Sequence, residues 1–189
     1  MIEALCIGHA AWDVSVWVPE FPVENSKCEV EALVECSGGP AANAACLLAL
    51  WGVRTAFAGV VGHDTAGERI RASLKAGGVN VSGLQTRDQV PTPVSVVLVN
   101  ESTGSRTIIN RSASGSARPA VDLAPLRLTA PPRLLLFDGH ELPTSLEAMS
   151  RFPEAVTVLD AGSLREGTRV LAGRVQHLVA SERFARQVT

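Results

Sequence analysis

The stretch Gly38-Gly39-Pro40-Ala41-Ala42-Asn43-Ala44-Ala45 carries the residue types and spacing best suited to binding chemistry. Two successive glycines let a backbone bend sharply and let a ligand approach it closely. Pro40 and the Ala/Leu run to Trp51, closed by Gly52, read as a helix with proline in its first turn and glycine at its end. The first turn of a helix holds unpaired N–H groups that suit ligand oxygens. This helix is apolar on nearly every face and is expected to be buried. Asn43 is its one polar side chain, and a buried amide needs a partner. That partner is either a ligand hydroxyl, to which an amide can both donate and accept, or the backbone of a neighbouring strand.

The elements that must position this stretch follow from hydrophobic patterning. Ala4–Ile7 is a short apolar run ending at Gly8, which reads as a buried strand. Val14, Val16 and Val18 alternate with Ser15 and Trp17, giving a half-exposed strand that stops at Pro19. Residues 28–36 alternate acidic and apolar types and read as a second strand with one wet face. Thr55–Val61 is a strand, and Asp64 can cap a helix running to about Ala76, where Gly77-Gly78 stop it. Val94–Val99 and Arg106–Asn110 form a hairpin around residues 102–105. Then come a buried strand at 133–137, a helix at 142–150, and strands at 155–159 and 177–180. Strands alternating with helices predict a parallel sheet of βαβ units. The half-wet strands do not fit that sheet and predict a small second sheet built from insertions at about 12–36 and 94–111.

Bulk properties narrow the function classes. With 189 residues, 46% of them hydrophobic, the chain is long and apolar enough for one sizeable core. A formal net charge of -2, with arginines scattered and no basic run, argues against nucleic-acid and anionic-membrane partners. Cys6, Cys28, Cys36 and Cys46 form no Cys-x-x-Cys pair, which argues against a zinc site and fits a reducing compartment. Met1-Ile2-Glu3 is acidic where a signal peptide would be positive, and residues 40–53 are too short to span a bilayer. The expectation is a cytoplasmic protein. The Gly8 turn offers no Gly-x-Gly-x-x-Gly dinucleotide fingerprint.

Gly38-Gly39, a small residue, Asn43, a second small residue, and then Gly52 and Gly62 stand at fixed spacing. This pattern resembles the first signature of the ribokinase-like PfkB carbohydrate kinases. Gly8-His9-Ala10-Ala11-Trp12-Asp13 is similar to that family's opening strand and acidic residue, and Gly59–Gly67 to its "GxVGxDxxG" segment. Residues 106–113 resemble its lid strand and the segment returning to the active site. The resemblance implies a doubly wound, mainly parallel α/β sheet flanked by helices, with a small β-sheet lid. It implies substrate contacts from Asp13, Gly38, Gly39 and Asn43. It adds Asp138 at a strand end, where ligands of doubly wound sheets sit, and Arg111, whose fork could take an anionic group. His140, Glu141 and Asp160 lie along the same rim, Trp12 and Trp17 are candidates to cover a sugar from the lid, and Asp64 is expected to be a structural cap.

The implied activity is ATP- and Mg2+-dependent phosphorylation of a sugar or sugar-derivative hydroxyl, with a homodimer through the lid sheet. The family's "DTxGAGD" segment, which carries the catalytic base, does not occur in the 189 residues, so no catalytic residue is assigned. Where the family has "NxxE", Ser181 replaces the Asn and Phe184 the Glu. The resemblance therefore corresponds to the N-terminal portion of a member, before the ATP-binding part. The expectation is a fragment of a longer kinase; the rival is a non-catalytic sugar-binding homologue.

Overall fold

The computed structural model describes residues 1–88, 90–111 and 119–189. Its main sheet centres on β1 (Ala4–Ile7), flanked on one side by β4 (Thr55–Gly62) and β5 (Asn80–Arg87). On the other side lie β8 (Leu134–Phe137), β9 (Val156–Ala161) and β10 (His177–Ala180). All five pairings are parallel. Alternation along β1 divides the core: Leu5 and Ile7 face α3 (Leu142–Arg151), α4 (Glu166–Ala172) and Phe184 of α5 (Glu182–Val188), while Cys6 faces α1 (Pro40–Leu50) and α2 (Thr65–Ala76). The second sheet runs β3 (Leu33–Gly38), β2 (Ala11–Val18), β6 (Val94–Asn100), β7 (Arg106–Arg111). Its β2–β6 pair is parallel and its other two pairs antiparallel.

Three elements differ from the sequence reading. The strand expected at 28–36 runs instead from Leu33 to Gly38, because its ladder with β2 spans only Ala11↔Gly38 to Val16↔Leu33. Trp17 and Val18, the last residues of β2, pair only with β6, so the ladder with β3 stops at Leu33. Strand β5 was not foreseen; it is an edge strand of mixed polarity with Gly83 in its middle, and it carries no alternation to read. Helix α1 is not buried on all faces. It packs Ala41, Ala42 and Ala45 on β1 and β4, while Leu47, Leu50 and Trp51 are 45%, 80% and 69% exposed. The same side of the sheet continues bare past α1: Val156 on β9 and Val179 on β10 are exposed, and Leu136 on β8 is only half-buried.

Asp64 caps α2 as expected, accepting from the Gly67 N–H at 2.9 Å. It also accepts from the N–H and hydroxyl of the fully buried Thr92, whose Oγ1 takes the Gly62 N–H at 2.8 Å. This knot ties the end of β4 to the start of β6, and so the lid to the sheet.

A second knot is tied by Asp138, which directly follows β8 and is 3% exposed. Its Oδ2 accepts from the His9 N–H at 2.8 Å and the Ala41 N–H at 3.1 Å. Its Oδ1 accepts from the His140 N–H and ring Nδ1, both at 3.0 Å. One carboxylate thus joins the β1–β2 turn, the first turn of α1 and the β8–α3 loop. The approach is so close that a Cβ on Gly8 would lie 2.1 Å from Oδ1. Burial works to raise this carboxyl, but the hydrogen bonds from the His140 ring and from the His9 and His140 N–H groups outweigh it and hold it below its ordinary value. A lowered carboxyl stabilises the fold above its unfolded value and loses that contribution as pH falls through the folded one. Asp138→Asn strands buried donors, so it should cost about 2–4 kcal/mol near neutral pH. Urea titrations of both proteins should show this gap shrinking in acid; an equal gap at every pH would mean that the ionised carboxylate is not what holds the three segments.

Candidate functional site

The site is built where the lid meets the main sheet. Pairing places Asp13 opposite Cys36 on β3 and Ser95 on β6, so the three share one face of the lid. The Asp13 carboxylate lies against the glycine pair: a Cβ on Gly38 would be 2.0 Å from its Oδ2. Gly39 has φ +104, and a Cβ there would lie 2.4 Å from the His9 carbonyl oxygen. Only glycine meets both demands, a left-handed backbone and room for a chain passing beneath. Helix α1 starts at once, and Asn43, one turn in, is exposed. Its amide is therefore not held inside the fold, contrary to the expectation of a buried group, and it opens to solvent beside the turn.

Asp13 carries the sharpest signal of an absent ligand. Its Oδ1 is buried with no hydrogen-bond partner among the described residues. A buried carboxylate oxygen without a donor is costly. A ligand hydroxyl would satisfy it, and the adjacent glycine turn keeps the approach free of side chains. Burial and the nearby Asp13 both raise the Cys36 thiol, which keeps it protonated beside the carboxylate. Cys36 and Ser95 were not singled out from the sequence. Only strand register reveals them, since nothing in a run such as Val94-Ser95-Val96-Val97 says which residue faces Asp13.

The other candidates fall elsewhere. Asp138 accepts four N–H groups, two at each oxygen, which fills its in-plane acceptor sites and makes it a positioning group. Arg111 donates to the Thr92 carbonyl at 2.9 Å and sits beside Asp64. Burial works to raise the Asp64 carboxyl, but the bonds from Thr92 and Gly67 and the Arg111 charge hold it down. Arg111 thus belongs to that knot and not to Asp13. Ser112 and Ala113, read with it as the returning segment, lie outside the described residues. Trp12 precedes Asp13 and points to the opposite face, against the core under α1 and α2, with the Arg69 guanidinium 5.5 Å from its ring centroid. Trp17 stands 40% exposed near the far end of β2.

At the rim, burial and the neighbouring Asp138 raise the Asp160 carboxyl. His140 binds Asp138 on one side and Arg165 on the other, and Glu141 is buried. Ser181 caps α5 through the Phe184 N–H at 3.0 Å, and Phe184 is in the core. Among the described residues no group of three or more His, Cys, Asp or Glu could hold a metal ion, and no helix is long and apolar enough to cross a membrane.

Comparison with known proteins places this geometry. The family model described as "pfkB family carbohydrate kinase" matches residues 1–151. Mouse ketohexokinase is 34% identical over 107 residues, covering 57% of this chain and 36% of that protein. An ATP-dependent ribose-1-phosphate kinase from Halopiger xanaduensis is 32% identical over 101 residues, 53% of this chain and 34% of that protein. The match thus spans about a third of these curated relatives. A ribokinase candidate from Agrobacterium tumefaciens superposes with TM-score 0.85 at 24% identity, over 99% of this chain and 61% of that one. Arabidopsis thaliana ribokinase, solved with ribose and ATP, gives TM-score 0.70 at 23% identity, over 87% of this chain and 55% of that one. Such identities establish the ribokinase-like fold, and the family model goes further: matched over most of its length, including the glycine turn, Asp13 and Asn43, this chain belongs to the PfkB family of carbohydrate kinases.

Proposed function

We propose that these residues form the acceptor-binding half of an ATP-dependent carbohydrate kinase acting on a hydroxyl of a sugar or sugar derivative. The observation that carries this reading is the buried, unpartnered Asp13 Oδ1 beside the Gly38–Gly39 turn. Asp13 accepts hydrogen bonds from sugar hydroxyls, the turn brings the sugar against the backbone, and Asn43 donates and accepts at its edge. Asp138 fixes the start of α1 and so the distance between the turn and Asn43. Phosphoryl transfer depends mainly on positioning and electrostatics, and a lid that excludes water favours both.

The described residues offer no donor set that fits Mg2+. In this reading Mg2+, ATP and the base that deprotonates the hydroxyl are held by a segment like that which the relatives carry beyond the matched stretch. The exposed Leu47 and Leu50 of α1, the adjoining Trp51 and the bare strand face at Val156 and Val179 support such a complement, since all are apolar and lie on the same side of the main sheet. Four free cysteines are consistent with a cytoplasmic setting. Lid strands β3 and β7 carry the exposed Leu33, Val34, Ile108 and Ile109, which supports pairing of two copies through the lid.

A second reading, a sugar-binding homologue without catalysis, is favoured by Ser181 and Phe184. Both are used structurally, as helix cap and core residue, where the family pattern has Asn and Glu.

Calorimetry and a coupled ADP-release assay with a panel of pentoses, hexoses and nucleosides test both readings together. Sugar-dependent turnover of Mg–ATP supports the kinase; binding without turnover supports the homologue. Asp13→Ala and Asn43→Ala should each weaken sugar binding about 10-fold or more, roughly one lost hydrogen bond to a charged or polar group, with little change in Tm. Unchanged affinity in both variants would remove this face as the sugar site. For the lid, Ile109→Glu should turn a dimer into a monomer by light scattering; a wild-type monomer at high concentration would rule the pairing out.

A further inference from the structure

We infer that His140 is a positioning residue that holds Arg165 through its neutral Nδ1–H form, and that protonation of the ring opens this latch. The inference does not depend on the kinase reading. A guanidinium only donates hydrogen bonds, so the 2.6 Å contact between Arg165 and His140 Nε2 requires a lone pair on that nitrogen. The ring proton is then on Nδ1, where it meets the Oδ1 of the buried Asp138 at 3.0 Å. An ionised Asp138 can only accept, so Asp138, His140 and Arg165 form a chain with one consistent assignment of protons. The His9 ring stacks on His140 with centroids 4.3 Å apart and planes 16° from parallel, which fixes the ring's tilt.

Among the described residues Arg165 has no other strong tether. Its backbone is set by Thr168, whose fully buried hydroxyl accepts the Arg165 N–H at 3.0 Å and donates to the Ser163 carbonyl at 2.9 Å. Among the described residues its side chain otherwise reaches only the Ser163 hydroxyl, at 3.1 Å, and it makes no ion pair with a carboxylate. A neutral ring nitrogen therefore decides where this cation sits on the rim formed by the ends of β8 and β9. A second proton on the ring would place an N–H at Nε2, facing the Arg165 N–H, with two positive charges in contact. Coulomb repulsion and the loss of the acceptor then act together against the contact.

The charged and titratable groups around the ring are few. Asp138 faces it from the end of β8, Arg165 from the β9–α4 loop and His9 from the β1–β2 turn. Glu141 follows it in the chain. Asp160 at the end of β9 and Cys6 on β1 are coupled to Asp138. Burial first, then Asp138 and Cys46, push the Cys6 thiol up to about 12, so it adds no charge here. The ring thus sits between two opposed charges, the Asp138 carboxylate and the Arg165 guanidinium.

The test is nitrogen-15 NMR of the histidine and arginine side chains in the 189-residue chain. The expected result is Nδ1–H His140 near neutral pH, with Arg165 guanidinium signals that broaden in step with the titration of the His140 ring. His140→Gln, whose amide oxygen accepts without titrating, should keep Arg165 ordered across that pH range. His140→Leu should release it at every pH. An Nε2–H ring near neutral pH, or Arg165 signals that ignore the His140 titration, would overturn the latch. If His140→Leu does not fold, the wild-type tautomer and the glutamine variant still decide the matter.

Discussion

The β1–β2 turn, the start of α1 and the β8–α3 loop all hang on one buried carboxylate. Asp138 sits in the core with a carboxyl held below its ordinary range, so it is charged where charge is expensive. Its cost is offset because every acceptor position is filled, and two of the four donors are backbone N–H groups of other segments. One of these, on Ala41, belongs to the first turn of α1, where the helix dipole also favours a negative charge. The ligand-facing parts therefore inherit their geometry from an anion that need not touch a ligand. Moving Asp138 would move the Gly8 turn, the glycine pair and the start of α1 together.

The two knots divide the labour among polar residues. Asp64, Thr92 and Arg111 tie the lid to the end of β4, and Asp138, His140 and Arg165 tie the rim of β8 and β9. Each carboxylate there is satisfied internally. Asp13 is the contrast, because one of its oxygens is buried and unmatched. The buried Trp12 Nε1 also lacks a partner among the described residues, but of the three carboxylates only the one beside the glycine turn is left wanting, and a functional site is where such an inconsistency is expected.

The main-sheet strands β1, β4, β8 and β9 were legible because each is a short apolar run ended by Gly, Asp or a turn. The glycine pair was legible because its two residues do what no other residue can. Asn43 misled by its neighbours: an all-apolar helix looks buried, but burial depends on what covers it, and here only the alanine side is covered. Arg111 and Asp138 were legible only in part. Their positions near strand ends were readable, but whether a carboxylate or guanidinium is already occupied depends on partners as distant as His9 and Ala41, which no local pattern encodes. Cys36 and Ser95 were invisible for a related reason, since register across three strands is a tertiary fact.

The exposed apolar surface beside α1 completes the argument about what kind of object this is. A helix that buries only alanines contributes little area, and a sheet face left open at Val156 and Val179 contributes less than it could. Yet the fold commits a buried charge, Asp138, to fixing the start of that same helix. Rigid definition of a thinly packed element makes sense if the element has a second partner to meet. Asp13 makes the same demand on the lid side: its unmatched oxygen needs a donor that the described residues do not supply. The two deficits differ in chemistry, one calling for apolar area and the other for hydroxyls. Helix α1 links the two: it starts at the Gly38–Gly39 turn beside Asp13 and ends at the exposed Leu50.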